Sequence, residues 1–130
     1  MNAIVAVCRD WGIGYQGSLL VHSKVDMHRF VELTMGDTVV MGRKTLESFP
    51  GGPLKGRRNV VITHDPSALP EGVVGATSPA AAVEAVAADD PSKVWLIGGE
   101  SVYRALLDQC THAYVTKFDV EKPADAFFPN

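Results

Sequence analysis

Asp26 is the ionisable residue whose surroundings set it apart. It lies in KVDMHRFVEL (24–33), a stretch with the spacing of an amphipathic helix. At roughly 100° per residue, Phe30 and Leu33 fall within about 40° of Asp26 on one helix face. Met27 borders that face, while His28, Arg29 and Glu32 point elsewhere. A carboxylate on an apolar stripe has two readings. It caps the first turn of the helix. Otherwise it is a buried acid aimed at a cationic or N–H-bearing ligand, or at proton transfer.

Two further stretches have the makings of an anion site. In WLIGGES (95–101), Gly98-Gly99 precede a helical pattern. Glycine lets the backbone approach a phosphate, and helix N–H groups point at it. Glu100 suits the helix dipole but opposes a nearby anion. In VVMGRKT (39–45), Gly42 ends a strand and Arg43, Lys44 and Thr45 open a helix. Two cations there oppose the dipole, which makes sense if an anion binds; the alternative is a pair of solvated surface cations. Two such elements in one small domain favour a dinucleotide.

The chain has 130 residues, 46% of them hydrophobic and 21% charged, with a net charge of −3. That balance suits one soluble domain and argues against a nucleic-acid partner. No apolar run approaches a membrane span. MNAIVAVCRD lacks the basic start and long apolar region of a signal peptide, so a cytoplasmic location is expected. Cys8 and Cys110 form no CxxC pair and read as two buried free thiols. His22, His28, His64 and His112 have no ligand spacing, so no metal is expected.

These residues need elements to hold them. The patterning predicts strands over 3–7, 38–42, 58–64, 73–77, 93–99 and 112–120. It predicts helices over about 25–35, 43–49, 79–88 and 100–108, with Ser78-Pro79 as an N-cap and first-turn proline. Apolar strands alternating with helices imply an α/β domain with a twisted, mainly parallel sheet flanked by helices. In such sheets ligands bind at the strands' carboxyl ends. Those ends are Cys8–Gly14, Gly42–Thr45, Thr63-His64, Gly98–Ser101 and Thr116.

Taken together, AIVAVCRDWGIGYQG, VVMGRKTLESF, PLKGRRNVVIT, WLIGGESVY and YVTKFDV resemble the dihydrofolate reductase family, in order and along nearly the whole chain. The resemblance implies NADPH-dependent reduction of 7,8-dihydrofolate to tetrahydrofolate by a monomer. Asp26 would then hold the pterin's 2-amino group and N3–H, and promote protonation at N5 through a water. Thr116 would orient Asp26. Ile4, Val5 and Ala6 would line the pterin site through strand backbone. Leu19, Met27, Phe30, Phe49 and Leu54 would pack on the substrate, and Arg57 would pair with the α-carboxylate of its glutamate tail. Ile97 and Tyr103 would flank the nicotinamide, with Ala6 and Ile13 also on the cofactor. Arg43, Thr63 and His64 would surround the 2′-phosphate. Gly42, Lys44, Thr45 and the turn Gly98, Gly99, Glu100, Ser101 and Val102 would meet the pyrophosphate, with a cis Gly98–Gly99 bond.

Three departures from the family pattern stand out. Leu20-Val21 replaces the usual Pro-Trp, whose tryptophan helps hold a water near the acid. Ser23-Lys24 replaces Leu-Pro before the helix, and Lys24 diverges from Asp26 by about 160° around the axis. The chain stops at AFFPN, where the family continues with a strand pair, so residues 1–130 read as one C-terminally incomplete domain. Two rival readings are a pyrimidine reductase of riboflavin synthesis and a non-catalytic nucleotide- or folate-binding module. The first would lack both the helix acid and the carboxylate clamp.

Overall fold

The computed structural model describes residues 1–15, 18–19 (backbone only) and 23–129. The order of elements is β1 (Asn2–Val7), β2 (Gly12–Tyr15), β3 (Ser18–Leu19), α1 (Lys24–Thr34), β4 (Thr38–Gly42), α2 (Arg43–Glu47), β5 (Arg58–Ile62), β6 (Val74–Ala76), α3 (Pro79–Ala85), β7 (Val94–Gly98), α4 (Glu100–Leu106), β8 (His112–Lys117) and β9 (Ala126–Phe127). Six strands form one sheet in the order β6-β5-β4-β7-β1-β8. Every pairing in it is parallel.

A parallel sheet must be covered on both faces, because its crossovers run over both. Successive residues of β4 show it. Val40 faces a core shared with Val60, Leu96, Ala82 of α3 and Leu106 of α4. Val39 and Met41 face the opposite core, with Val61, Trp95 and Leu46 of α2. Against this second core pack Leu33 of α1 and the partly buried Ile4, Phe49, Leu54, Ile97 and Tyr114. The Trp95 indole N–H donates to Asp37 Oδ2 at 2.9 Å, and its ring lies 5.2 Å from that of Tyr114.

Helix boundaries follow capping chemistry. Ser23 Oγ accepts from Asp26 N at 3.2 Å, and Ser78 Oγ accepts from Ala81 N at 3.1 Å. These bonds satisfy N–H groups that the first turn leaves orphaned. The remaining elements end short of their patterns: α2 stops at Glu47 and α3 at Ala85.

The sequence pattern misses a second sheet. Strands β3, β2 and β9 pair antiparallel, with Gly14 opposite Leu19 and Gly12 opposite Phe127. So GIGY is strand rather than loop, and the AFFPN segment folds back onto it. Phe128 is buried, with its ring edge-on to Tyr103 at 4.9 Å and stacked near Trp11 at 6.3 Å. Trp11 turns the chain between β1 and β2 at φ +70°, and its ring lies 4.7 Å beneath the Lys117 ammonium. Both cysteines are free thiols, as expected, but Cys110 is only half-buried. Burial still pushes its thiol pKa up. No helix among the described residues is long and apolar enough to cross a membrane.

Candidate active site

Because all six strands of the main sheet run one way, the ends at Val7, Gly42, Ile62, Gly98 and Lys117 share one edge. Gly42–Thr45, Thr63, His64, Gly98–Val102 and Thr116 lie along it, whereas Leu54 and Arg57 precede β5, at the strands' amino ends. At one end of the edge lies α1. Asp26 is the third residue after the Ser23 cap, so it sits in the first turn, where an acid suits the dipole. It is also half-buried, on the face that carries Leu33 into the second core. The cap itself is Ser23, so Asp26 does not cap the helix as one reading expected; it is a first-turn acid on the face turned toward the core. Its carboxylate has no hydrogen-bond or ion-pair partner among the described residues.

Thr116 is placed differently from the expectation. Its hydroxyl accepts from Arg29 Nη1 at 3.1 Å rather than meeting Asp26. Arg29 lies one turn along α1 from Asp26, and its longer side chain spans to the β8 hydroxyl. The bond fastens the first half of α1 to β8, and Thr116 lies beside Ala6 of β1 in the sheet.

The loop before β5 presents Arg57. Its Nε donates to the Lys55 carbonyl at 3.0 Å and its Nη1 to Thr34 Oγ1 at 3.2 Å. Thr34 is buried and in turn donates to the Phe30 carbonyl at 2.7 Å. Both guanidinium contacts are to neutral oxygens. Burial lowers the Arg57 pKa, and no carboxylate among the described residues offsets that desolvation. Gly56 makes the turn at φ +74°, and a Cβ there would lie 2.5 Å from Met35 Sδ. Only glycine meets both demands.

At the middle of the edge, neighbouring β4 and β7 deliver α2 and α4 side by side. Both helices start on glycine, Gly42 and Gly99, with no side-chain cap bond. A Cβ on Gly42 would lie 3.2 Å from Val102 Cγ2. Thr45 Oγ1 is 3.6 Å from where a Cβ would sit on either Gly98 or Gly99. The Gly98–Gly99 peptide is cis, and Gly98 has φ +127°, a conformation closed to most L-residues. Backbone without a Cβ thus lies against the Thr45 hydroxyl, with the Tyr103 ring 3.4 Å from where a Cβ would sit on Gly98. Among the described residues no three His, Cys, Asp or Glu gather as a metal site.

The model of the family described as dihydrofolate reductase matches residues 1–130. The chain belongs to the dihydrofolate reductase family. It is 35% identical over 130 residues to dihydrofolate reductase type 3 of Salmonella typhimurium, covering all of this chain and 78% of that protein. It is 33% identical over 146 residues to the dihydrofolate reductase of Heliothis virescens, covering 100% and 79%. With that of Staphylococcus aureus it shares 37% identity over 117 residues, covering 90% and 70%. The chain is accordingly an enzyme of the dihydrofolate reductase family.

Within that family frame, the expected substrate residues divide. Ile4, Ile97, Phe49 and Leu54 come together on the second core. Phe30 is partly buried on α1, whereas Met27 is 52% exposed. Val5 is partly buried in β1, against the other core. The Leu19 side chain and Leu20-Val21 lie outside the described residues. Several expected cofactor residues already have partners. Ile13 and Val102 are buried in the first core. Tyr103 is buried, its hydroxyl donates to the Ile4 carbonyl at 2.7 Å, and burial pushes its pKa up. Arg43 pairs with Glu47 Oε2 at 2.7 Å. Glu100 turns from the open turn: Oε1 accepts from Phe127 N at 2.6 Å, and Oε2 lies 3.4 Å from Arg104 Nε. Thr63 Oγ1 accepts from Asp65 N at 3.3 Å, while Lys44, His64 and Ser101 are exposed.

Sequence reasoning passed over Asn59, a buried amide bonded to the backbone of Leu54 and Arg57. The signal was present as a polar residue inside the apolar run RNVVI, where a strand side chain needs partners.

Proposed function

We propose that this chain reduces 7,8-dihydrofolate to tetrahydrofolate with NADPH, and that Asp26 is the anchor for the pterin ring. The observation that carries this reading is the half-buried Asp26 carboxylate, without a protein partner among the described residues, on the α1 face whose Leu33 packs on the second core, the core that Ile4 and Ile97 also cover. An ionised carboxylate accepts only, and its two oxygens match two adjacent donors, the pterin 2-amino group and N3–H. The apolar surroundings make that pairing costly to leave unmade. By polarising the bound ring and an adjacent water, Asp26 favours protonation at N5.

The dihydronicotinamide, when bound, supplies the hydride for pterin C6. The bare Gly98–Gly99 turn and Thr45 would receive its pyrophosphate, and Arg43 with His64 its 2′-phosphate. Arg57, a guanidinium held by neutral oxygens with N–H groups to spare, would hold the glutamate tail's α-carboxylate through a planar fork.

The test is the loss of reduced-nicotinamide absorbance. NADPH oxidation that starts only when dihydrofolate is added supports the reading. Oxidation driven by a ribosylated aminopyrimidine, or none with either substrate, rejects it.

A further inference from the structure

The loop Leu54–Arg57 joins two residues that the proposed function assigns to the outer part of the substrate, and one buried side chain holds both. Asn59 lies on β5, next to Val39 of β4, and is only 4% exposed. Its Oδ1 accepts from Leu54 N at 3.0 Å. Its Nδ2 donates to the Leu54 carbonyl at 3.0 Å and to the Arg57 carbonyl at 3.0 Å. Both amide donors are therefore spent on carbonyls, which fixes the orientation of the group, since a flipped amide would set oxygen against oxygen. On its far side the loop is tied to the end of α1, where the Gly56 carbonyl accepts from Gly36 N at 2.9 Å. The loop is strung between these two supports, and Arg57 projects from it toward Thr34.

The geometry points to Asn59 as a positioning residue that sets Leu54 and Arg57 for the p-aminobenzoyl-glutamate half of the substrate. This rests on the proposed folate reading, in which Leu54 packs on the aryl ring and Arg57 meets the tail carboxylate. Asn59 does not touch the reacting atoms, so its influence is on the fit of the tail and leaves the hydride step alone. An interaction shared by ground and transition states appears in KM rather than kcat.

The test uses Asn59→Asp, which keeps the acceptor for Leu54 N and turns the two donors into repulsion, and Asn59→Ser as a milder variant. Each is assayed with dihydrofolate and with a small dihydropterin lacking the aryl-glutamate tail, alone and combined with Arg57→Lys. Asn59→Asp should raise the dihydrofolate KM about tenfold, the scale of one lost buried hydrogen bond, with kcat little changed. The tailless substrate should be reduced at wild-type efficiency. In the Arg57→Lys background the added loss should largely vanish, because the two side chains act through one another. Equal losses for both substrates, full additivity with Arg57→Lys, or failure of both Asn59 variants to fold would make Asn59 scaffold only and overturn the proposal. If Arg57→Lys alone leaves tailed and tailless substrates alike, the carboxylate clamp itself is wrong. That result is distinct, because it is seen with Asn59 intact.

Discussion

Arg57 and Arg43 stand at opposite ends of the parallel strands, Arg57 just before β5 and Arg43 just after β4; both are assigned anions, yet the fold prepares them in opposite ways. Arg57 is half-buried, braced by a threonine hydroxyl and a carbonyl, with no acid beside it. Arg43 is exposed and already paired with Glu47 one turn along its helix. The contrast extends to the acids. Asp26 has no partner among the described residues, whereas Glu100 is held by Phe127 N and Arg104. Asp26 and Arg57 are left uncompensated among the described residues, whereas Arg43 and Glu100 are paired beside glycine backbone. A ligand meeting Arg57 would add a charge-assisted bond with no competing acid among the described residues; one meeting Arg43 would share the guanidinium with Glu47, which engages only its Nη1.

That contrast breaks most visibly at Asp26. Asp26→Asn is expected to lower turnover at pH 7 by about 10²–10⁴-fold, the usual span for a proton-transfer group. Part of the loss should return as pH falls, because substrate already protonated at N5 needs less help. A pH–rate profile indistinguishable from wild type would remove Asp26 from the chemistry. Next in size is Arg57→Lys, which keeps the charge and gives up the fork. A charge-assisted hydrogen bond is worth about 1.5–3 kcal/mol, so the dihydrofolate KM should rise tenfold or more, with kcat preserved. Steady-state kinetics with tailed and tailless substrates read this directly.

Arg43→Ala should act less strongly, since its pairing with Glu47 offsets part of its gain from a phosphate. Fluorescence titration is expected to give several-fold weaker NADPH binding and unchanged NADH binding. A matched loss for both cofactors would place Arg43 away from the 2′-phosphate. The smallest effect sharpens the comparison most. Glu47→Gln frees Arg43 from an exposed i,i+4 pair worth about 0.3–0.5 kcal/mol, so NADPH should bind about twofold more tightly. Weaker binding would mean that Glu47 positions Arg43 instead of competing for it.

The parts of this design legible in the sequence are those set by local rules. β4 falls on 38–42, where TVVMG is continuously apolar, and α3 starts at Pro79, where Ser78 caps it. The resemblance gave Asp26, Arg57 and the Gly98–Gly99 turn their expected roles, and the Gly98–Gly99 bond is cis as it implied. What escaped depends on partners far away in the chain. β9 is two residues long and exists because Gly12 and Gly14 lie opposite it, more than a hundred residues earlier. No periodicity in AFFPN carries that. The partner of Thr116 escaped for a related reason: Arg29 and Asp26 are both on α1, and only the helix's rotation against β8 decides which one reaches the hydroxyl. Asn59 escaped because an asparagine in a strand does not announce which backbone it will bind.

The indole of Trp95 has a use outside stability. The chain has two tryptophans, and the fold gives them different optical surroundings. Trp95 is buried in the core beneath Ile4 and Ile97, with its N–H on a carboxylate and Tyr114 alongside. Trp11 sits by the β2–β9 sheet with an ammonium over its ring. Reduced nicotinamide absorbs where a shielded indole emits. The two chromophores therefore form a built-in pair of probes, one inside the second core and one at the turn between β1 and β2. Excitation of the aromatic band, with Trp95→Phe as the blank, separates their signals and makes occupancy visible in real time without any attached dye.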